Sequence, residues 1–248
     1  MQHIASLNAV RAMQIATRSE ELPIVQPDTH VVPSVAPGWC SVRGFERMSL
    51  SDWPGHTVFV LFIGGCNLRC PTCHNADLAW RHTTLPRIRQ SAVHELVAKR
   101  KRWYDGIVVS GGEPTSYADL PLLLRDLKST GLPVKVDTNG MRPDMIEILF
   151  HANLADAFFV DVKGPFEKYP QLTGNGVTAD QAEANISRVF KLARTAPERF
   201  QFRTTMVPLL TDDDIATVRR LLPEGFTLTT QQYREPARRT HAKTDQET

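Results

Sequence analysis

The stretch Gly64-Gly65-Cys66-Asn67-Leu68-Arg69-Cys70-Pro71-Thr72-Cys73-His74-Asn75 decides how this sequence is read. It carries three of the chain's four cysteines, spaced Cys-x3-Cys-x2-Cys. Thiolates are the standard ligands of iron–sulfur clusters, and four of them complete a cubane. Three on one short loop leave an iron open to an outside ligand, whereas a fourth would close the site and leave an electron carrier. Gly64 and Gly65 allow a tight turn after the preceding strand, and Pro71 stiffens the second spacer. The alternatives are a zinc site on Cys66, Cys70, Cys73 and a distant histidine, or three unrelated thiols. Zinc cysteines usually come in Cys-x2-4-Cys pairs, which this loop does not offer.

Outward from the loop, the chain alternates strands with helices. Residues 58–63 are a continuous apolar run, as in a strand buried on both faces. Further strands are expected over 107–110, 134–138, 157–162, 200–207 and 226–231, and a short strand-like entry over 45–50. Helices are expected over 91–103, 118–130, 143–152, 178–194 and 212–222. In 118–130, Leu120, Leu123, Leu124 and Leu127 fall at core spacing and Gly131 stops the helix. The trio Asp212, Asp213 and Asp214 reads as capping of a helix start, because three consecutive residues cannot all face one ion. The alternation implies an α/β fold with a parallel sheet and right-handed crossovers, either open or a partial barrel. In both, functional loops lie beyond the carboxyl ends of the strands.

The polar motifs fall there. Gly111-Gly112-Glu113-Pro114 follows the second strand, and two glycines let backbone approach a ligand closely while Glu113 can accept from an amino group. Asp137-Thr138-Asn139-Gly140 ends the third strand, Asp161-Val162-Lys163 the fourth, and Arg203 lies in the fifth. Plainer readings are a helix cap for Asp137, a surface ion pair of Asp161 with Lys163, and a strand-end salt bridge for Arg203.

Composition bounds the rest. The 248 residues suit one domain with an appendage, and a net charge of +2 gives no argument for nucleic acid or an anionic membrane. Four cysteines, three in one loop, are not a disulfide framework, so a reducing cytoplasmic setting is expected. The longest apolar run is far too short to span a bilayer. Residues 1–18 hold Arg11 and Arg18 and no acid, a faint likeness to a transit peptide or else a short amphipathic helix. Four prolines within 20–38 indicate an extended linker. The expected division is an extension over 1–40, a catalytic domain over 41–233 and a polar tail over 234–248. Cys40 stands alone, and a small packed residue is the simpler reading than a fourth cluster ligand or a redox thiol.

The cysteine spacing together with Gly-Gly-Glu-Pro resembles the radical S-adenosylmethionine (SAM) superfamily, whose fold is a partial (βα)6 TIM-like barrel. Asp-Thr-Asn-Gly, Asp-x-Lys, the segment 43–55 ending Asp52-Trp53-Pro54-Gly55, and Gln231-Gln232-Tyr233-Arg234 narrow the likeness to the glycyl-radical-enzyme activases. Within these it is most similar to the compact activating proteins of anaerobic (class III) ribonucleoside-triphosphate reductase. The resemblance covers 42–234. It implies that Cys66, Cys70 and Cys73 hold a [4Fe–4S] cluster, and that Gly111, Gly112, Glu113, Pro114 and the Thr72 backbone cradle SAM. It further implies that Asp137, Thr138 and Asp161 hold a monovalent cation (Na+ or K+), with Lys163 and Arg203 beside SAM. Reductive cleavage of SAM would yield a 5′-deoxyadenosyl radical that takes a hydrogen from a glycine of a partner enzyme. A flavodoxin or ferredoxin would supply the electron. Two features depart from the pattern. Thr72 stands where an aromatic is usual, and no further cysteines lie between Cys73 and Gly111, unlike the larger activases. The alternatives are an activase of pyruvate formate-lyase or a related enzyme, a small-molecule radical SAM enzyme such as a 7-carboxy-7-deazaguanine synthase, and a non-catalytic iron–sulfur or zinc protein.

Overall fold

The computed structural model describes residues 36–235. The helix expected over 1–18, most of the linker and most of the tail lie outside the described residues. Seven strands form one sheet in sequential order: β1 (Val42–Ser49), β2 (Val58–Ile63), β3 (Gly106–Gly111), β4 (Val134–Thr138), β5 (Ala157–Asp161), β6 (Phe200–Met206) and β7 (Leu228–Gln232). β2 to β7 run parallel, each joined to the next through a helical crossover, and these are the six strands expected. β1 lies antiparallel to β2 at one edge and β7 ends the other, so the sheet is not closed between β1 and β7.

The helices are α1 (Ala76–Trp80), α2 (Gln90–Arg100), α3 (Leu120–Lys128), α4 (Pro143–His151), α5 (Tyr169–Leu172), α6 (Ala179–Ala193) and α7 (Asp212–Leu221). The leucines at 120, 123, 124 and 127 in α3 are all fully buried, which is why that segment is helical and where it faces. α6 and α7 each open with a capping box, Thr178 with Gln181 and Thr211 with Asp214. Asp212, Asp213 and Asp214 therefore sit at a helix start as capping and dipole partners, and Asp214 also accepts from Lys168 at 2.6 Å.

Two layers of packing flank the sheet. On the helix side, Ile107, Val109, Val134, Val136, Val160 and Phe202 join the buried helix faces in one large core. Strand period two sends the alternate residues inward. There Val58, Val60, Phe62 and Val108 form a small apolar floor closed by Trp53 and Leu78, and β4 to β6 contribute Lys135, Asp137, Phe159, Asp161 and Arg203.

The packed unit begins earlier than position 41. Trp39 is fully buried in the main core, and its indole N–H donates to Asp126 Oδ2 at 2.9 Å. Gly38 reaches it with φ +90, against the backbone of Leu123. Among the described residues no helix is long and apolar enough to cross a membrane.

Candidate functional site

β2 delivers the cysteine loop at its carboxyl end, and the chain's own backbone fixes how it leaves the strand. Gly112 N–H donates to Ile63 O at 2.9 Å, Glu113 N–H to Gly65 O at 2.8 Å, and Gly65 N–H to Leu78 O at 2.9 Å. The Gly-Gly-Glu segment is thus stitched to the root of the loop. Gly112 is required for it, because a Cβ there would overlap the Gly65 carbonyl. The two glycines serve close approach, as expected, but the partner is the cysteine loop itself.

Within the loop, Leu68 is buried and its N–H donates to Cys66 Sγ at 3.4 Å, while Trp80 Nε1 donates to Leu68 O at 2.9 Å. Arg69 N–H donates to Thr173 O at 3.1 Å, and Asn75 Nδ2 to Gly111 O at 3.2 Å. Cys66, Cys70 and Cys73 are partly buried free thiols, and Thr72 lies half-buried beside them. Burial pushes the Cys66 thiol up to about 12, against a backbone hydrogen bond from Leu68, and burial raises Cys73 likewise. Such thiols are poor nucleophiles, whereas a coordinating metal displaces the proton outright. Among the described residues no three His, Cys, Asp or Glu side chains converge as ligands of a single ion would. A cubane takes its thiolates at separate irons.

Glu113 departs from the expected role of accepting from a ligand amine. It is 2% exposed and faces inward. Its Oε1 accepts from Thr115 N–H at 3.1 Å, from the Thr115 hydroxyl and from Thr138 Oγ1 at 2.7 Å, and its Oε2 accepts from Asn139 N–H at 2.6 Å. Burial raises its pKa, and these bonds pull the other way. Glu113 ties the ends of β3 and β4 together. Pro114, also buried, starts the short turn that follows.

Asp137, Asp161, Lys163 and Arg203 come together on the inner face with Lys135. Arg203 Nε meets Asp161 Oδ1 at 2.5 Å, and its Nη2 lies 3.4 Å from Asp137 Oδ2. Lys163 Nζ donates to Asp161 Oδ2 at 3.2 Å, and Lys135 Nζ contacts Asp137 Oδ1. Asp137 caps no helix, since Arg142 precedes α4. Desolvation opposes ionisation of Asp161, but Arg203 and Lys163 together hold it down to about 2. The same carboxylate keeps Lys163 charged against desolvation, and Asp137 together with Asp161 does so for Arg203. The Lys163 charge acts against the rise at Cys66 and Cys73, far less than burial drives it.

The model of the radical SAM superfamily matches residues 60–222, well over half of the chain. The chain belongs to the radical SAM superfamily. A Methanocaldococcus jannaschii protein named as a glycyl-radical enzyme activating enzyme is 34% identical over 70% of this chain and 71% of its own length. A pyruvate formate-lyase-activating enzyme of Listeria monocytogenes is 30% identical over 69% of this chain and 71% of its own. Among solved structures, SuiB of Streptococcus suis bound to precursor peptide SuiA superposes with a TM-score of 0.50 at 18% identity. That match covers 72% of this chain and 39% of SuiB, and it bears on the fold alone.

Radical SAM membership implies a [4Fe–4S] cluster and SAM, and the three-thiol donor set of the loop fits the cluster. The alkali-ion site does not fit. All four oxygens of Asp137 and Asp161 face cationic side chains, and Thr138 Oγ1 is committed to Glu113 and to Gly140 N–H at 3.1 Å. Other residues of the quoted motifs take roles that the motifs do not state, and Tyr169 lies outside all of them. Asn67 and Asn139 join the cysteine loop to the end of β4 at 2.8 Å. Tyr169 Oη accepts from Lys163 N–H at 3.1 Å, and Tyr233 stacks on His74 at 5.2 Å, bringing the end of β7 over the loop. Two-residue periodicity in β4 is the one signal that places Lys135 beside Asp137. Cys40 takes no part in the loop's hydrogen bonds; its carbonyl accepts from Arg43 at 2.6 Å.

Proposed function

We propose that this radical SAM enzyme activates a glycyl-radical enzyme by removing a hydrogen from a backbone glycine of that partner. The observation that carries the reading is the convergence at one barrel mouth of the Cys66-Cys70-Cys73 loop, the braced Gly111-Gly112 segment and the Asp161–Lys163–Arg203 charges. The names of its relatives support the same direction. When bound, the cluster and SAM supply the one-electron cleavage and the hydrogen abstraction, as cofactors do in such enzymes.

The chain's own residues then have positioning work. Cys66, Cys70 and Cys73 would ligate three irons. The backbone of Gly111, Gly112 and Thr72 would line the SAM cradle, with Pro114 fixing its turn. Lys163 and Arg203, paired with Asp161, would present positive charge to the SAM carboxylate. No side chain needs to act as an acid or base. The opening between β1 and β7 would admit an extended glycine-bearing segment. Anaerobic ribonucleoside-triphosphate reductase is the partner favoured by the compact motif pattern. Pyruvate formate-lyase is the second candidate, favoured by the Listeria relative. A flavodoxin or ferredoxin would deliver the electron.

The test is to mix the cluster-loaded, reduced chain with SAM and each purified partner under anaerobic conditions. The expected result is 5′-deoxyadenosine together with a glycyl-radical doublet on one partner. SAM cleavage without a radical on either partner would remove the activase reading and leave a small-molecule enzyme. Absence of SAM cleavage would remove both.

A further inference from the structure

A fully buried lysine stands inside the barrel, on a face where the family likeness implies an alkali ion. Lys135 has no exposed side-chain surface and contacts Asp137, whose own side chain is 7% exposed. Lysine is almost never wholly buried unless paired. Its ammonium also lies 3.9 Å from the centre of the Phe159 ring, and the Arg203 guanidinium lies 5.8 Å from the same ring. Phe159, on the inner face of β5, thus supports both cations from one side. Burial lowers the Lys135 pKa and the Arg203 charge adds to that, while Asp137 and, less, Asp52 from the loop after β1 act against it; Asp52 is itself held by Ser49 Oγ at 2.5 Å.

The charges form a graded series. Side-chain exposure runs 0% at Lys135, 7% at Asp137, 14% at Arg203, 27% at Asp161 and 29% at Lys163. Cation and anion alternate from the closed interior to the open mouth. Every carboxylate oxygen of Asp137 and Asp161 already faces one of these three basic side chains. An alkali ion placed among them would have to displace an ammonium or a guanidinium from Asp137 or Asp161, at the cost of leaving that cation buried and unpaired.

We propose that Lys135 is the built-in cation of this site: its ammonium takes the place of the alkali ion at Asp137, and the protein binds SAM without Na+ or K+. This inference rests on the activase reading for its ligand. Lys135 is a positioning residue that holds Asp137, which helps fix Arg203 and, through Asp161, Lys163 at the mouth.

The test compares sodium, potassium and choline chloride at equal ionic strength, on the wild type and Lys135→Met. Thermal unfolding of the metal-free chain needs no SAM. The wild type should show no saturable preference for Na+ or K+ over choline. Lys135→Met should gain one, raising its midpoint by about 3 °C or more once a vacated site takes an ion. SAM binding to the cluster-loaded chain is the second readout. The wild type should bind equally in the three salts, whereas Lys135→Met in choline should bind about tenfold more weakly and recover with Na+ or K+. Wild-type SAM binding or stability that needs an alkali ion overturns the inference, even if the variant does not fold. A wild type indifferent to the cation in the thermal experiment, yet unable to bind SAM in any salt, leaves Lys135 as the fixed counter-ion and removes the activase reading instead.

Discussion

Asn139 Nδ2 donates to Asn67 Oδ1 at 2.8 Å, joining the end of β4 to the cysteine loop. Asn67 lies between Cys66 and Leu68, so this bond sets the first spacer of the loop relative to the sheet. Asn139 is itself held, because its Oδ1 accepts from Met141 N–H at 2.9 Å and its N–H donates to Glu113. Asn139→Ala should cost about 1–2 kcal/mol through the two lost side-chain bonds, while the backbone N–H bond to Glu113 remains. It should also release iron faster to a chelator, with the total iron bound after loading little changed. Chelator-challenge kinetics with the wild type alongside would check this.

Gly112 and Gly55 offer a contrast between steric overlap and backbone strain. A Cβ at Gly112 would overlap the Gly65 carbonyl, whereas one at Gly55, at φ +81, meets nothing within 4 Å. Gly55→Ala should therefore cost about 1 kcal/mol, the penalty of a left-handed residue. Gly112→Ala should cost roughly 1–3 kcal/mol by overpacking and should also displace the cysteine loop, lowering iron loading. Urea unfolding and iron content separate the two. Equal iron loading in the two variants would contradict the brace.

Glu113→Gln tests whether that side chain is an internal tie. The carboxylate accepts from Thr115, Thr138 and Asn139, and an amide can present only one oxygen to them. One buried donor is left without an acceptor, which should destabilise the metal-free chain by about 1–3 kcal/mol. A residue that merely received a ligand amine would leave metal-free stability unchanged.

Asp161 gives the acid limb a sign. Its folded pKa is about 2 against an ordinary 3.8, so its contribution is present above the ordinary value and is lost as pH falls toward 2. That contribution is on the order of 2 kcal/mol. In the metal-free chain, Asp161→Asn should be less stable than the wild type at neutral pH, since Lys163 loses its partner and Arg203 keeps only Asp137. The gap should close between about pH 4 and 2. Urea midpoints across that range check it, and a pH-independent gap would contradict the pairing.

The parallel strands were legible because each is a short apolar run between turn signals. β4 and β5 begin where expected, at Val134 and Ala157. β7 is harder, being mostly exposed Thr and Gln, and it starts at Leu228 rather than 226. The strand-end motifs converge as topology requires. What was hidden depends on long-range partners. Trp39 sits beside prolines that read as linker, yet it is held by Asp126, far along the chain on α3. Glu113 reads as an open acceptor until the hydroxyl of Thr138 and the N–H of Asn139 arrive from the next strand. Lys135 belongs to none of the quoted motifs, and only the tertiary arrangement of Asp137, Phe159 and Asp52 makes its burial tenable.

The most direct measurement is electron paramagnetic resonance of the anaerobically iron- and sulfide-loaded, reduced chain, recorded before and after addition of SAM. The predicted result is a [4Fe–4S]⁺ signal that changes when SAM is added and is lost in Cys70→Ser. A colourless protein that holds zinc tightly, with no signal and no response to SAM, would contradict the ligation proposed for Cys66, Cys70 and Cys73.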